Sequence, residues 1–267
     1  MTSIRLIALD LDGTLLDSSL EISEDNKNAV RGAMELGVSV VINTGRMFRS
    51  SKAFVDQLSL TGPVICYNGA MICRPDGEVT FHEPLDIEVA RGLLSIFRDR
   101  GIYVQSYVDD ILNVRENDGE TVWYVKTFGA DWRLVGDALY SPVTAPTKLL
   151  AITDGIEQSH VIRDEMSELF GDKLYVTISN SNFVEMMNPA ANKGRRLAHV
   201  ARDMGIGMES VMALGDGEND IEMVSCAGIG IAMGNGLEKI KSAACDIAPA
   251  NDEDGVAWAI RKYVLEA

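Results

Sequence analysis

Three short runs of branched apolar residues, IRLIAL (4–9), VSVVIN (38–43) and PVICYNG (63–69), open the chain, with one amphipathic segment between each pair. Runs this short and this apolar suit strands buried on both faces, the condition of a parallel sheet covered by helices. The segments between them read as helices. One runs from Glu24 to Leu36, opened by Ser23 as N-cap and closed by Gly37, and the next from Met47 to Leu58. A strand-helix-strand-helix-strand order admits few folds, because parallel neighbours need crossovers of one hand.

The rhythm then changes. MICRPDGEVTF (71–81) places a Pro-Asp-Gly turn between two short strand patterns and reads as a hairpin. Between Glu83 and Asn188 the pattern predicts helices at 86–99, 118–129 and 156–170. Strands are expected there at 102–108, 111–115, 148–153, 173–179 and 183–188. Adjacent short strands between helices form an open α+β layer of their own. The simple alternation resumes after Asn192: helix 193–204, strand SVMALG (210–215), helix 218–225, strand GIGIAM (228–233), helix 237–244 and a last helix from Val256. The expectation is an α/β doubly wound parallel-sheet core made of residues 1–82 and 189–267, interrupted by an inserted α/β domain at 83–188.

Charge narrows the function. Lys and Arg total 24 against 40 Asp and Glu, a net charge of −16, which repels nucleic acid and anionic membrane surfaces. With no run long enough to span a bilayer and no basic segment leading into a cleavage site, the expected location is cytoplasmic. Four cysteines without CxxC spacing point to free thiols rather than zinc or disulfides.

The acidic residues are not spread evenly. In ALDLDGTL (8–15), Asp10 and Asp12 lie two apart just past the first strand, so a continued pleat would put both on one face, where like charges repel. A solvated acidic turn accounts for such a pair on its own, so the remaining strand ends decide. After the second strand stand Thr44 and Gly45, whose hydroxyl and backbone N–H groups near a helix start make an anion site. After SVMALG comes GDGEND, which crowds Asp216, Glu218 and Asp220 around Asn219. Lys193 begins a helix. Oxygen ligands for a hard cation, donors for a phosphoryl group and one ammonium form a coherent set, and such ligands favour magnesium. A carboxylate is also a nucleophile at phosphorus.

ALDLDGTL, NTGR, NPAANKG and LGDGENDIEM, in this order, resemble the four motifs of the haloacid dehalogenase (HAD) superfamily, and their spacing resembles its Cof-like, subclass IIB phosphatases. YNGA (67–70) is similar to that branch as well. The resemblance implies a Rossmann-like core with a cap that closes over it and contacts the leaving group. It implies Asp10 as nucleophile forming a phospho-aspartate and Asp12 as general acid and base. Magnesium would be held by Asp10, the Asp12 carbonyl and Asp216, with Asp220 a further partner. Thr44, Gly45, Lys193 and Asn219 would bind the phosphoryl group. Asn43 departs from the small residue expected there.

The implied reaction is magnesium-dependent hydrolysis of a small phosphorylated metabolite, a sugar phosphate first, with phosphoglycolate as an alternative. A phosphomutase or phosphotransferase, and a non-catalytic regulator that keeps the fold, remain open. A dinucleotide-binding oxidoreductase is disfavoured: in GIGIAMGNG (228–236), Met233 stands where GxGxxG needs its third glycine. Within the insert, Tyr107, Arg115, Trp123 and Glu185 could face a cleft, although packing or surface roles are the plainer expectation.

Overall fold

The computed structural model describes residues 4–266. The chain begins with β1 (Leu6–Leu9), α1 (Glu24–Glu35), β2 (Ser39–Ile42), α2 (Phe48–Gln57), β3 (Val64–Cys66), β4 (Met71–Cys73) and β5 (Val79–His82). It continues through α3 (Ile87–Arg100), β6 (Val104–Val108), β7 (Ile111–Val114), α4 (Gly119–Phe128), β8 (Trp132–Leu134), β9 (Lys148–Ile152), α5 (Ile156–Phe170), β10 (Tyr175–Asn180) and β11 (Phe183–Met187). It closes with α6 (Lys193–Asp203), β12 (Val211–Gly215), α7 (Ile221–Cys226), β13 (Ile229–Ala232), α8 (Glu238–Ala243), β14 (Asp246–Ile247) and α9 (Gly255–Ile260). These elements form two compact units. The first takes the chain up to Gly45, Lys52–Thr80 and the chain from Asn192; the second takes Arg46–Ser51 and Phe81–Ala191.

In the first unit, five parallel strands run in the order β14-β13-β12-β1-β2. Leu6 and Ala8 of β1 and Val211 and Ala213 of β12 pack with Leu197 of α6, Met223 of α7 and Ile240 of α8. Strand alternation turns Ile7 and Leu9 to the opposite face, where they are equally buried. There α1 packs against β2 and α9, and the Asn26 side chain accepts the Ala257 N–H at 2.8 Å. Helix α1 starts where Ser23 predicts, since its hydroxyl accepts the Asn26 N–H at 3.1 Å.

The third apolar run departs from expectation. Rather than joining the parallel sheet as a full strand, β3 pairs antiparallel with β4 in a small sheet of order β3-β4-β5, and an isolated bridge, Asn43 to Ile65, links it to the β2 side. The turn at Tyr67–Gly69 folds the chain back at once, so the run is too short to continue the ladder.

The second unit is a six-stranded sheet of order β10-β11-β9-β6-β7-β8, antiparallel except for β7 with β8. One face is apolar: Leu149, Ala151, Val184 and Met186 pack with Leu93 and Phe97 of α3 and Ile162 and Met166 of α5. Alternation sends Lys148 and Glu185 to the other face, where their ion pair measures 2.8 Å. Among the described residues, no helix is long and apolar enough to cross a membrane.

Candidate active site

The strand order places β1 between β2 and β12, so successive connections leave β1 in opposite directions. A doubly wound sheet opens a crevice at such a switch point, beyond the carboxyl ends of its strands. Asp10 and Asp12 follow β1, Thr44 and Gly45 follow β2, and Asp216, Asn219 and Asp220 follow β12. All belong to the first unit.

Lys193 ties these ends together from the first position of α6, whose N-cap Asn192 accepts the Arg195 N–H at 2.8 Å. Its buried ammonium donates to Asp10 Oδ1 at 2.6 Å and to Asp220 Oδ1 at 2.5 Å. Asp220 turns its other oxygen to the backbone N–H groups of Asp216, at 3.1 Å, and Gly217, at 3.0 Å, and so shapes the GDGEND turn from within. Asp216 accepts from the Thr14 hydroxyl at 2.9 Å. Gly13 makes this approach possible: its φ is +75°, and a Cβ there would stand 2.4 Å from Asp216 Oδ2.

One oxygen each of Asp10, Asp216 and Asp220 lies within 4.8 Å of the others. Burial raises the Asp10 carboxyl well above its usual range; the Asp220 charge adds to this and Lys193 opposes it. Burial also pushes Asp216 up to about 7, reinforced by Asp220 and opposed by the Thr14 hydrogen bond. For Lys193 burial works the other way, yet the charges of Asp10 and Asp220 outweigh it and raise the ammonium pKa. Three carboxylates against one ammonium leave an excess of negative charge, and an all-oxygen donor set fits a hard divalent cation. The Asp12 side chain is not part of this group.

The Thr44 backbone N–H donates to the Ile65 carbonyl at 2.9 Å, which fixes the loop after β2 against β3. Asn219 is buried, and its Nδ2 donates to Asn68 Oδ1 at 2.9 Å.

Sequence reasoning assigned no role to Thr14 or Asn68. The signals were present: a hydroxyl two residues past an acidic pair, and an Asn-Gly step, since asparagine is one of the few side chains that tolerates the left-handed backbone. Asn43, the departure noted above, is buried; its Nδ2 donates to the Lys193 carbonyl at 3.1 Å and approaches Met223 Sδ at 3.4 Å. Its Oδ1 has no hydrogen-bond partner among the described residues.

The four insert residues take up packing or ion-pair positions in the second unit. Arg115 is exposed and pairs with Asp137 at 3.0 Å, and Trp123 packs edge-on against Phe183. The Tyr107 hydroxyl donates to that of Tyr124 at 2.7 Å, while Glu185 pairs with Lys148.

Residues 7–260 match a family model described as haloacid dehalogenase-like hydrolase. The chain is 32% identical over 263 residues to the 5-amino-6-(5-phospho-D-ribitylamino)uracil phosphatase YcsE of Bacillus subtilis (strain 168), covering 98% of this chain and 96% of that protein. It is 30% identical to YitU of the same organism, which carries the same phosphatase name, covering 98% of each chain. A solved haloacid dehalogenase-like hydrolase from B. subtilis is similar in structure, with a TM-score of 0.88 at 28% identity, covering 97% of this chain and 99% of the other.

Proposed function

Given that the chain belongs to the haloacid dehalogenase-like hydrolase family and is a phosphatase, we propose that it hydrolyses the monoester of a small phosphorylated metabolite, a sugar phosphate, through a phospho-aspartate at Asp10. The observation that carries this reading is the Lys193 bridge from Asp10 to Asp220, with Asp216 beside it.

In this reading an Asp10 carboxylate oxygen bonds to phosphorus as the ester P–O bond breaks, and Asp12 gives the departing alcohol its proton. Asp12 then takes a proton from water, whose oxygen attacks phosphorus, and the Asp10 carboxylate leaves with inorganic phosphate as product. Lys193 orients Asp10 and balances charge, while the Thr44 hydroxyl, the Gly45 backbone and Asn219 hold phosphoryl oxygens. Asp10, the Asp12 carbonyl and Asp216 would hold magnesium. Bound there, it would screen the repulsion between the anionic nucleophile and the anionic ester. Asp220, already committed to Lys193 and two N–H groups, sets the turn that presents Asp216.

Residues 83–188, the insert between the two core segments, are proposed as the cap domain that selects the leaving group. The sugar-phosphate assignment is supported by relatives named for a substrate that carries its phosphate on a ribityl chain. The test is phosphate release from hexose phosphates, pentitol-type phosphates, phosphoglycolate and p-nitrophenyl phosphate, with magnesium and with excess EDTA. Release confined to the sugar-type esters and abolished by EDTA is the expected result. Transfer of phosphate to a second sugar without free phosphate would replace hydrolysis by mutase chemistry.

A further inference from the structure

Tyr67, Asn68 and Gly69 follow one another in the left-handed region, with φ of 53°, 52° and 96°. Gly69 has a steric reason, because a Cβ there would stand 2.7 Å from the Asn192 carbonyl oxygen. At Asn68 a glycine would serve the backbone equally well, yet the position carries a fully buried amide side chain.

That residue joins two strand ends. Its backbone N–H donates to the Thr44 carbonyl at 3.0 Å, and its Oδ1 accepts from Asn219 Nδ2 at 2.9 Å. An asparagine side chain has two unlike ends, one that donates and one that accepts. Turned over, Asn219 would aim an oxygen at an anion. The Asn68 oxygen is a partner only for the NH2 end, and that group has a second hydrogen to offer.

We propose that Asn68 is a positioning residue: by accepting from Asn219 it fixes that amide with its NH2 toward the phosphoryl group, in register with the Thr44 loop. The proposal rests on the reading of Asn219 as a phosphate contact.

The experiment compares the parent with Asn68→Gly, Asn219→Ala and the double variant. It measures kcat and KM for p-nitrophenyl phosphate, inhibition by inorganic phosphate, and thermal unfolding. Glycine keeps the left-handed turn and removes only the amide. Asn219→Ala should lower kcat/KM on the order of a hundredfold. Asn68→Gly should lower it about tenfold, the worth of one neutral hydrogen bond, with a melting temperature within about 4 °C of the parent. In the Asn219→Ala background Asn68→Gly should change nothing further, since the amide it positions is gone.

Parental activity in Asn68→Gly, or an equal loss in both backgrounds, overturns the proposal while the Asn219 assignment stands. Parental activity in Asn219→Ala removes that assignment and the proposal with it. If the Gly-Gly step loosens the turn and the melting temperature falls further, Asn68→Ala gives the same comparison in the two backgrounds.

Discussion

Lys193 in the first unit and Lys148 in the second are buried to the same extent, 0% and 1% exposed, but their charges are met differently. Lys148 faces Glu185 across the neighbouring strands β9 and β11, and its ammonium lies 4.8 Å from the centre of the Tyr107 ring. Lys193 faces Asp10 and Asp220, with Asp216 close by. Lys148 has Glu185 against it, while three carboxylates gather around Lys193. Burying a matched pair is at best a modest gain for stability. Gathering further carboxylates around it works against folding; burial first, and the neighbouring Asp220 charge after it, raise the pKa values of Asp10 and Asp216. Such imbalance is characteristic of sites that take a cation or do chemistry.

The most severe way to test the contrast is Asp10→Asn. Turnover should fall by a factor on the order of ten thousand or more, while thermal unfolding stays at or above the parental temperature, because a carboxylate that burial disfavours has been removed. An active variant would break the assignment of chemistry to the first cluster.

The matched pair should behave in the opposite manner. Glu185→Leu takes a carboxylate away from a buried ammonium and should reduce stability by about 3–5 kcal/mol, whereas the double variant Lys148→Met with Glu185→Leu should recover most of that loss. Denaturant unfolding of the three proteins measures it, and equal stability of the single and double variants would undo the pairing argument.

The imbalance also predicts a pH dependence. Burial, reinforced by Asp220, pushes the Asp216 carboxyl up to about 7 from an ordinary value of 3.8. Between those limits the folded protein holds a proton that the unfolded chain has released, so metal-free stability should fall as pH rises through this window, by a few kcal/mol at most. Magnesium, which competes for the ionised carboxylates, should raise the melting temperature more at pH 8 than at pH 5. Melting temperatures independent of pH and of magnesium would remove the imbalance.

A smaller effect isolates the geometry. Gly13→Ala forces a Cβ against Asp216 and strains a backbone at φ +75°. It should cost about 1–3 kcal/mol of stability, read by thermal unfolding, with loss of activity.

Local chemistry made some of this legible in advance. β1, β2 and β12 are buried almost throughout, so their unbroken apolar runs identified them. α1 announces itself by the cap Ser23, and α6 begins at Lys193 where its pattern places it. β8 left no such trace, because its three residues are exposed and it is a strand only through its pairing with β7. Helix α7 begins later than its pattern implies, since Glu218–Asp220 form a tight turn before it.

The amino-acid sequence by itself determined the parallel-sheet core and the identity of the acids, hydroxyl and ammonium at the strand ends, because apolar period and residue chemistry are local properties. The tertiary structure alone decided what those groups do to one another. Lys193 reaches Asp10 across 183 positions and Thr14 reaches Asp216 across 202. The partnership of Asn68 with Asn219 spans 151. Hydrogen bonds act over about 3 Å, and distances on that scale between remote residues exist only once the strands are ordered side by side.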